Sequence, residues 1–345
     1  MAITPISSVT PSLFARLSEC PHREGLRRLN RQVAPDARYN PTTSTSVTLG
    51  NTAHAVIASA LGLHGTDIEM DEWFPIAWDA AIEIERSHCP DKNPPESWWR
   101  YSIVRRGTRR LIHRLTLEIA QSGATVRLET ELKAKTAPVW GRPDLLMIHN
   151  NGACEVIDIK TGVHKGEPAS AQEIDQLQMY AFIVAESLDI PVTRLRVERV
   201  DGAAWEEASN DAASAETVSA ALQAMNEFNR HREDTSPLAR PGTACANCSE
   251  LLACEPAWSA ATKGFVGVEG IVTSAYREID SQVLRIETES GPADVVGIPA
   301  TDVTTGDIVR VGHLRMHTVG QYRWQPDRSV ITRQSQSADS RPVRE

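Results

Sequence analysis

Residues 141–162 have the sequence GRPDLLMIHNNGACEVIDIKTG, in which two apolar runs flank an Asn-Asn-Gly turn. An Asn-Gly step between two apolar runs is typical of a tight β-hairpin. We therefore predict one strand over residues 139–149 and a second over residues 153–160. Because successive side chains of a strand point to opposite faces, Asp158 and Lys160 leave the second strand on the same side.

Two carboxylates and one ammonium belong to this hairpin, namely Asp144, Asp158 and Lys160. The residues around Asp158 are apolar, and a charge in such a half-buried strand costs free energy unless a partner neutralises it. Mg²⁺ and Mn²⁺ prefer oxygen ligands and usually bind through one or two carboxylates plus a substrate phosphate. An ammonium beside them can orient or deprotonate water, or balance phosphate charge. The combination predicts metal-dependent phosphodiester hydrolysis, whereas an isolated Asp-x-Lys pair would indicate only a surface strand.

The order of these motifs resembles the PD-(D/E)XK nuclease superfamily, and specifically its RecB-like branch. That branch has a histidine on an upstream helix, and His54 stands in the matching segment GNTAHAVIASAL. It also has a Gln-x-x-x-Tyr motif on the helix after the lysine strand, which Gln176 and Tyr180 supply within EIDQLQMYAF. Four residues apart, these two side chains share one helix face. The resemblance implies an α/β fold with a restriction-endonuclease-like core, in which helices flank a mixed sheet.

The resemblance also implies a role for each motif residue. A divalent ion, Mg²⁺ or Mn²⁺, would have four protein ligands: His54, Asp144, Asp158 and the main-chain carbonyl of Ile159. Lys160 would act on the water or on the scissile phosphate, while Gln176 and Tyr180 would hold Lys160 or the nucleic-acid backbone. Taken without the other motifs, His54, Gln176 and Tyr180 would be ordinary residues of helix faces.

Three cysteines near the end of the α/β region, Cys245, Cys248 and Cys254, form a C-x2-C-x5-C pattern that lacks a fourth ligand. A zinc ribbon would have a second C-x-x-C pair, which is missing, so the expected partner is Cys20. One N-terminal cysteine followed by a distant trio resembles the iron–sulfur nucleases of the RecB-like branch, including AddB-type recombination nucleases and small CRISPR-associated exonucleases. The resemblance implies a [4Fe–4S] cluster that staples the two ends of the nuclease domain. Structural zinc on the same four thiolates is the alternative.

The two remaining cysteines have no place in this pattern. Cys154 leads into the second strand of the hairpin, and we interpret it as a small buried hydrophobe. Cys89 precedes Pro90 in a predicted loop, and the sequence gives it no role.

The remaining sequence predicts two domains and a tail: a nuclease domain over residues 1–260, a small all-β barrel over residues 264–333, and a disordered tail over residues 334–345. The barrel, which also suits an OB-like fold, follows from five runs separated by Gly, Pro and Asp: 265–277, 282–289, 294–298, 308–316 and 322–331. This segment has seven Arg against nine Asp and Glu. Its aromatic residues Tyr276, Tyr322 and Trp324 could stack bases or fill the core, so protein docking is as good an interpretation as nucleic-acid binding.

A helix predicted over residues 98–121 separates apolar from basic positions. Ile103, Leu111, Leu115 and Ile119 line one face. The segment from Arg100 to Arg114 has six arginines and no acid. Arginine suits phosphate geometry, so we predict that this helix binds nucleic acid, although a charged face can also be merely solvated. The candidate residues are Arg105, Arg106, Arg109, Arg110 and Arg114.

Composition limits the function classes. Of the 345 residues, 41% are hydrophobic and 23% are charged, which excludes wholesale disorder. No apolar run approaches the roughly 18 residues of a membrane span, and no signal-peptide pattern is present, so we expect a cytoplasmic protein. There is no GxxxxGK[ST] phosphate loop for an ATP motor. Because the net charge is −9, a nucleic-acid surface must come from local clusters of cations.

These observations predict a metal-dependent DNA nuclease, with single-stranded DNA or DNA ends as the substrate and with a role in repair, recombination or phage defence. An exonuclease is favoured by the resemblance. Two alternatives stay open: a non-cleaving module that grips DNA ends for a helicase or integrase-like partner, and a nuclease that processes RNA. The intact acid and lysine motif argues against the first alternative.

Overall fold

The computed structural model describes residues 2–33, 44–63, 69–87, 93–162, 169–261, 264–299, 301–325 and 329–333. The chain forms two compact units. One comprises residues 4–18 and 36–230, and we call it the hairpin unit because it contains the β-hairpin predicted within residues 139–160. The other comprises residues 1–3, 19–35 and 231–345, and we call it the cysteine unit. The predicted tail and Cys89 lie outside the described residues.

Helices and strands alternate through the hairpin unit, while strands dominate the end of the chain. The described helices are α1 Pro11–Glu19, α2 Pro21–Val33, α3 Thr45–Gly62, α4 Met70–Arg86, α5 Tyr101–Ser122, α6 Ala171–Leu188, α7 Asp211–Arg230 and α8 Glu255–Ser259. The first strands are β1 Thr125–Leu128, β2 Leu132–Lys133, β3 Trp140–Gly141, β4 Leu145–Ile148, β5 Cys154–Lys160, β6 Val192–Arg199 and β7 Ala204–Ala208. The later strands are β8 Val268–Arg277, β9 Gln282–Thr288, β10 Gly291–Ile298, β11 Ile308–Gly312, β12 Arg315–Thr318, β13 Gln321–Arg323 and β14 Val330–Arg333.

The hairpin unit is built on a mixed sheet with strand order β1-β4-β5-β6-β7. The strands β4 and β5 form the predicted antiparallel hairpin, whose turn residue Gly152 has φ +82°. β5 runs parallel to β6, and α6 makes the crossover between them. Helices cover the sheet, with Leu145 and Ile157 packed in one buried cluster with residues of α3, α4 and α5. These features confirm the predicted α/β class with a mixed central sheet and flanking helices.

Two predicted strands are each broken into two pieces by backbone that cannot continue a ladder. The alternation of residues 125–133 predicts one strand, but the strand stops at Glu129, which adopts a left-handed φ of +43°. The strand expected over residues 139–149 stops at Arg142, because Pro143 has no N–H to donate and cannot occupy a central strand position. The predicted single strands were therefore wrong at these points, and Asp144 lies directly before β4 rather than within it.

The N-terminal helix also differs from the prediction. The helical spacing of residues 12–31 predicts one helix with Ser12 as its cap, but α1 and α2 are separate helices divided at Cys20. The Thr10 hydroxyl accepts a hydrogen bond from the Leu13 N–H at 3.1 Å and caps α1 instead. In α5 the buried face includes Tyr101 and Val104, whereas Ile103 is 44% exposed, so the face predicted for Ile103 was wrong.

The all-β region predicted at the C-terminus is present in the cysteine unit. Seven strands form one sheet in the order β12-β13-β10-β9-β8-β11-β14, rather than the five predicted. The run expected over residues 308–316 is split by His313, which has a left-handed φ of +57°. Tyr322 and Trp324 pack against the core of this sheet, while Tyr276 is 55% exposed.

A buried network of charges joins β6 to its neighbours. Arg196 is 5% exposed and lies 2.6 Å from Glu118, 3.1 Å from Glu155 and 2.5 Å from Glu198. Arg114 of α5 also pairs with Glu198, which is 1% exposed. Burial alone would raise the pKa of Glu198, but the hydrogen bonds and charges of Arg114 and Arg196 hold that pKa below its ordinary value. The network therefore keeps a fully buried carboxylate ionised.

We expect Glu198→Gln to lower the free energy of unfolding by about 3–5 kcal/mol at neutral pH, because two arginines would lose a buried countercharge. Since the folded state lowers the pKa of this carboxyl, its contribution is complete above the ordinary value of 4.5 and is lost as the pH falls toward the lowered pKa. Urea unfolding at neutral pH and below pH 4.5 should show the difference from wild type shrinking. Glu206→Gln, at a 66% exposed side chain, is the control and should unfold like wild type.

Candidate active site

The end of β5 brings the predicted acid and ammonium together. Asp158 is 2% exposed, and its Oδ2 lies 2.7 Å from Lys160 Nζ. Asp144, from the loop before β4, accepts a hydrogen bond from the Ile159 N–H on its Oδ2 at 2.7 Å. The hairpin thus places the carboxylates of Asp144 and Asp158 beside the same stretch of β5.

Gln176 of α6 connects the acid to the lysine. Its Nε2 donates to Asp158 Oδ1 at 2.9 Å, and its Oε1 accepts from Lys160 Nζ at 3.1 Å. The same amide nitrogen lies 3.3 Å from the hydroxyl of Tyr180, one turn further along the helix. Gly141 lies under that ring, where a Cβ atom would stand 2.7 Å from Tyr180 Cε1. The Gln-x-x-x-Tyr motif is therefore in contact with the hairpin, and the first residue of GRPD is the glycine that leaves room for Tyr180.

The N-terminus of α6 is fixed by a second set of contacts. Ser170 and Glu173 form a capping box, in which each side chain bonds to the other residue's backbone N–H. Arg199, at the end of β6, donates to both oxygens of Glu173 at 2.7 and 2.8 Å. Arg199 lies opposite Lys160 in the parallel β5–β6 register. These contacts therefore hold the start of α6 near the end of β5 that carries Lys160.

His54 lies on α3, with its Nδ1 3.3 Å from Asp144 Oδ1. Burial alone would lower the pKa of His54, but the contact and charge of Asp144, with the charges of Asp158 and Glu129, raise it. Glu129 is the left-handed residue that ends β1, and it pairs with Arg142 at 3.6 Å. Glu129 is not among the residues predicted from the sequence, although an acid that interrupts an alternating strand is a visible signal.

The predicted ligands His54, Asp144 and Asp158 include the carboxylate oxygens that a divalent cation prefers. Burial raises the pKa of Asp158 to about 6, the Lys160 ammonium opposes that rise, and the charge of Asp144 adds to it. No described residue gives Asp158 Oδ2 a hydrogen bond, because the nearby ammonium lies outside hydrogen-bond geometry. As arranged, however, His54 partners Asp144 and Lys160 partners Asp158. Within the described ranges, no three His, Cys, Asp or Glu side chains converge closely enough to hold a metal ion.

The five predicted nucleic-acid-binding arginines have different surroundings on α5. Arg114 forms a bidentate pair with buried Glu198, and Arg109 pairs with exposed Asp71 of α4. The Arg105 guanidinium lies 5.8 Å from the centroid of the Phe74 ring. Arg106 and Arg110 are exposed and form no ion pair with any residue in the described ranges. These last two are the members of the set whose charge is not engaged there.

The four cysteines of the predicted cluster line one cavity of the cysteine unit, together with Arg23 and Arg240. Cys245, Cys248 and Cys254 are each less than a tenth exposed. Burial raises the pKa of Cys248 to about 12, and burial, with the nearby Cys20 and Cys245, raises that of Cys254. Cys20 and the trio thus line the same cavity, although no three of these described thiols converge closely enough to hold a metal ion. Cys154 is a buried free thiol in β5.

A short segment before α5 lies against the same strand end and was missed from the sequence. Arg100 donates from Nη1 to the carbonyl of Thr161, the residue after Lys160, at 2.9 Å. Arg100 has a left-handed φ of +70°, and the neighbouring Trp99 is 70% exposed. A left-handed backbone at a non-glycine residue is imposed by tertiary contacts, so the conformation of Arg100 could not be predicted from the sequence. The Trp-Trp-Arg run was the one local signal of this segment.

Comparison with known proteins places the chain in a family. The sequence model of the PD-(D/E)XK nuclease superfamily matches residues 8–255, a span that includes the hairpin, His54 and the Gln-x-x-x-Tyr motif. The chain belongs to the PD-(D/E)XK nuclease superfamily. No curated protein matches the sequence.

Matches among solved structures include an alkaline exonuclease, LHK-Exo, from Laribacter hongkongensis, with 16% sequence identity and a TM-score of 0.28 over 51% of this chain and 88% of that one. The same exonuclease in complex with dAMP also matches at 16% identity and a TM-score of 0.28, over 53% and 93% of the two chains. A third match, SSO0001, has 14% identity and a TM-score of 0.27, over 58% and 94%. Among the described residues, no helix is both long and apolar enough to span a membrane.

Proposed function

We propose that this protein is a Mg²⁺- or Mn²⁺-dependent deoxyribonuclease that hydrolyses phosphodiester bonds at the end of β5. The observation that carries the proposal is the buried Asp158, bridged by Gln176 to Lys160 and set beside Asp144. Burying one carboxylate beside a second one is a costly arrangement, and it is retained where a cation or a reacting group uses it. Membership of a nuclease superfamily supports the same chemistry.

Each residue of the site has a proposed task. His54, Asp144, Asp158 and the carbonyl of Ile159 would hold the ion, which supplies a stronger nucleophile from water and stabilises phosphate charge. Lys160, whose side chain is 27% exposed, can reach solvent and would hold a water molecule or a phosphate oxygen. Gln176 accepts from the Lys160 ammonium and so keeps it directed at the acids. Burial raises the pKa of Tyr180, which keeps its phenol neutral and available to hold Gln176.

The substrate class is proposed as single-stranded DNA or DNA ends, with exonuclease action, in repair, recombination or phage defence. Arg106 and Arg110 support a phosphate-binding role because neither charge is engaged among the described residues. Association with a helicase or another repair or defence protein, and assignment to the RecB-like branch, belong to the same proposal. Labelled linear and circular DNA, each in single-stranded and duplex form, distinguishes end-dependent from internal cleavage.

We further propose that Cys20, Cys245, Cys248 and Cys254 hold one [4Fe–4S] cluster with a structural role. Four cysteines around one cavity are a suitable donor set, and Arg23 and Arg240 at the same cavity would offset the negative charge of four thiolates. Burial that raises thiol pKa values favours protonation in the absence of a cationic partner, so a metal centre would change the charge state of the whole cavity. Zinc on the same thiolates is the competing outcome.

Replacing Asp144, Asp158 or Lys160 with Ala should each slow DNA cleavage by about 100- to 1,000-fold, because a positioned charged group of this kind lowers the barrier by about 2.7–4 kcal/mol. Chelation with EDTA should remove wild-type activity, and added Mg²⁺ or Mn²⁺ should restore it. Circular dichroism checks folding. Lys133→Ala, at an exposed lysine of β2, is the matched control and should cleave normally. Cleavage at the wild-type rate by any of the three site variants would refute the assignment.

Arg106→Ala and Arg110→Ala should weaken DNA binding and make it less dependent on salt, since each lost phosphate contact reduces the slope of log K against log [salt] by roughly 0.9 for duplex DNA. Arg114→Ala should instead lower stability, because its partner Glu198 is buried. Fluorescence anisotropy at several salt concentrations, with thermal melts of each variant, separates the two effects. An unchanged salt slope in the Arg106 and Arg110 variants would show that this face is only solvated.

Protein purified without oxygen should be brown and contain iron and sulfide if the four cysteines hold a cluster. Ala substitution of Cys20, Cys245, Cys248 or Cys254 should remove the colour and reduce soluble yield, whereas Cys154→Ala should keep the colour because that thiol lies in β5. Metal analysis and absorption spectra give the readout. Stoichiometric zinc without iron would show that the four cysteines hold zinc instead of a cluster. Colour retained in Cys20→Ala would exclude Cys20 as a ligand.

A further inference from the structure

Trp99 is a large aromatic side chain on the surface that the site described above does not use. It is 70% exposed, while its neighbour Trp98 is 5% exposed. Trp98 and Tyr101 belong to the same buried cluster as Ile159 of β5 and Leu49 of α3. The exposed ring is therefore attached to a short segment whose flanking aromatic residues are fixed in the core behind the active site.

Arg100 ties this segment to the catalytic strand. Its guanidinium donates to the carbonyl of Thr161, the residue that follows Lys160, and also lies 5.6 Å from the centroid of the Trp99 ring. On its other side Thr161 meets α3, where a Cβ atom on Gly50 would stand 3.1 Å from Thr161 Oγ1. Gly50 is one helical turn from His54, so Arg100 reaches the point where the strand with Lys160 meets the helix with His54.

The backbone of Arg100 adopts a left-handed φ of +70° at the N-terminus of α5. This conformation is unfavourable for a residue with a side chain and persists only when surrounding contacts enforce it. Such outliers cluster at ligand-binding and active sites. Here the unfavourable backbone lets Trp98 enter the core, leaves Trp99 in solvent, and directs Arg100 to Thr161.

We propose that Trp99 is a stacking platform for one unpaired base of the DNA strand that is cut at the Lys160 site. The inference rests on the proposed nuclease function and names the residue that would contact an unpaired base of its substrate. Aromatic side chains bind single strands by stacking on base faces, which a paired base inside a duplex does not offer. Arg100 covers one face of the indole, and a base would stack on the other face. Trp99 thus selects a substrate whose strand is unpaired beside the scissile bond.

Binding in EDTA tests this proposal without cleavage. Fluorescence anisotropy would be measured for a labelled single-stranded oligonucleotide and for a series of the same strand in which one abasic site occupies successive positions. Wild-type protein should lose affinity by about 10-fold at one position of the abasic site, because stacking on an aromatic ring contributes about that factor per base. Trp99→Ala should lose a similar factor on the intact strand and show no further loss at that position. Trp99→Phe should retain most of the affinity.

Ile76→Ala is the matched control, since Ile76 is 72% exposed on α4 and should bind like wild type. Blunt duplex should bind Trp99→Ala and wild type equally. The proposal is overturned if no abasic position weakens wild-type binding, if the abasic profile survives in Trp99→Ala, or if duplex binding falls to the same extent. The abasic scan on wild-type protein tests the proposal even if the Trp99→Ala variant misfolds. Normal cleavage by Lys160→Ala would instead refute the nuclease site and leave the stacking result standing.

Discussion

The ion pair between Asp158 and Lys160 depends on a strand that is buried almost to its last residue. β5 is enclosed by β4 and β6, and Ile157 and Ile159 pack into the core formed with α3 and α5. Alternation then places Asp158 and Lys160 together on the opposite face, where α6 supplies Gln176. Packing of the core thus fixes the spacing of the acid and the ammonium. A charged pair held on a buried strand has its geometry set before any ligand arrives.

The charges of β6 provide the corresponding constraint on the neighbouring strand. Arg196 and Glu198 are buried beside each other, and each has partners on other elements. Buried ion pairs often contribute little net stability, because desolvation offsets the attraction. Their effect here is on register: a one-residue slip of β6 would turn both charges to the other face of the sheet. The same register places Arg199 opposite Lys160, from where it holds Glu173 at the start of α6.

Local chemistry made much of the site predictable from the sequence. The Asn-Asn-Gly turn fixed the hairpin and the relative positions of Asp144 and Asp158, because turn type and alternation are properties of adjacent residues. Pairings between distant residues were not predictable. Arg114 is engaged by Glu198, 84 positions away, and the left-handed backbone of Arg100 is imposed by contacts that its sequence neighbours do not encode. The break at Pro143 was predictable from a local signal, because proline is disfavoured inside a central strand. The predicted strand ran through it because only the alternation of side chains was considered.

The seven-stranded sheet contacts the segment that carries Cys245, Cys248 and Cys254. That segment consists of short helical turns that bury few residues, around Leu251 and Trp258. Arg310 of β11 donates to the Leu252 carbonyl at 3.3 Å and pairs with Glu255, while the His313 ring lies 3.1 Å from the carbonyl of Cys248. Irregular backbone of this kind has few partners of its own, so the sheet satisfies groups that the segment leaves open. Residues 231–261 and the sheet therefore form one compact unit, in which the sheet supports the loop that carries the three cysteines.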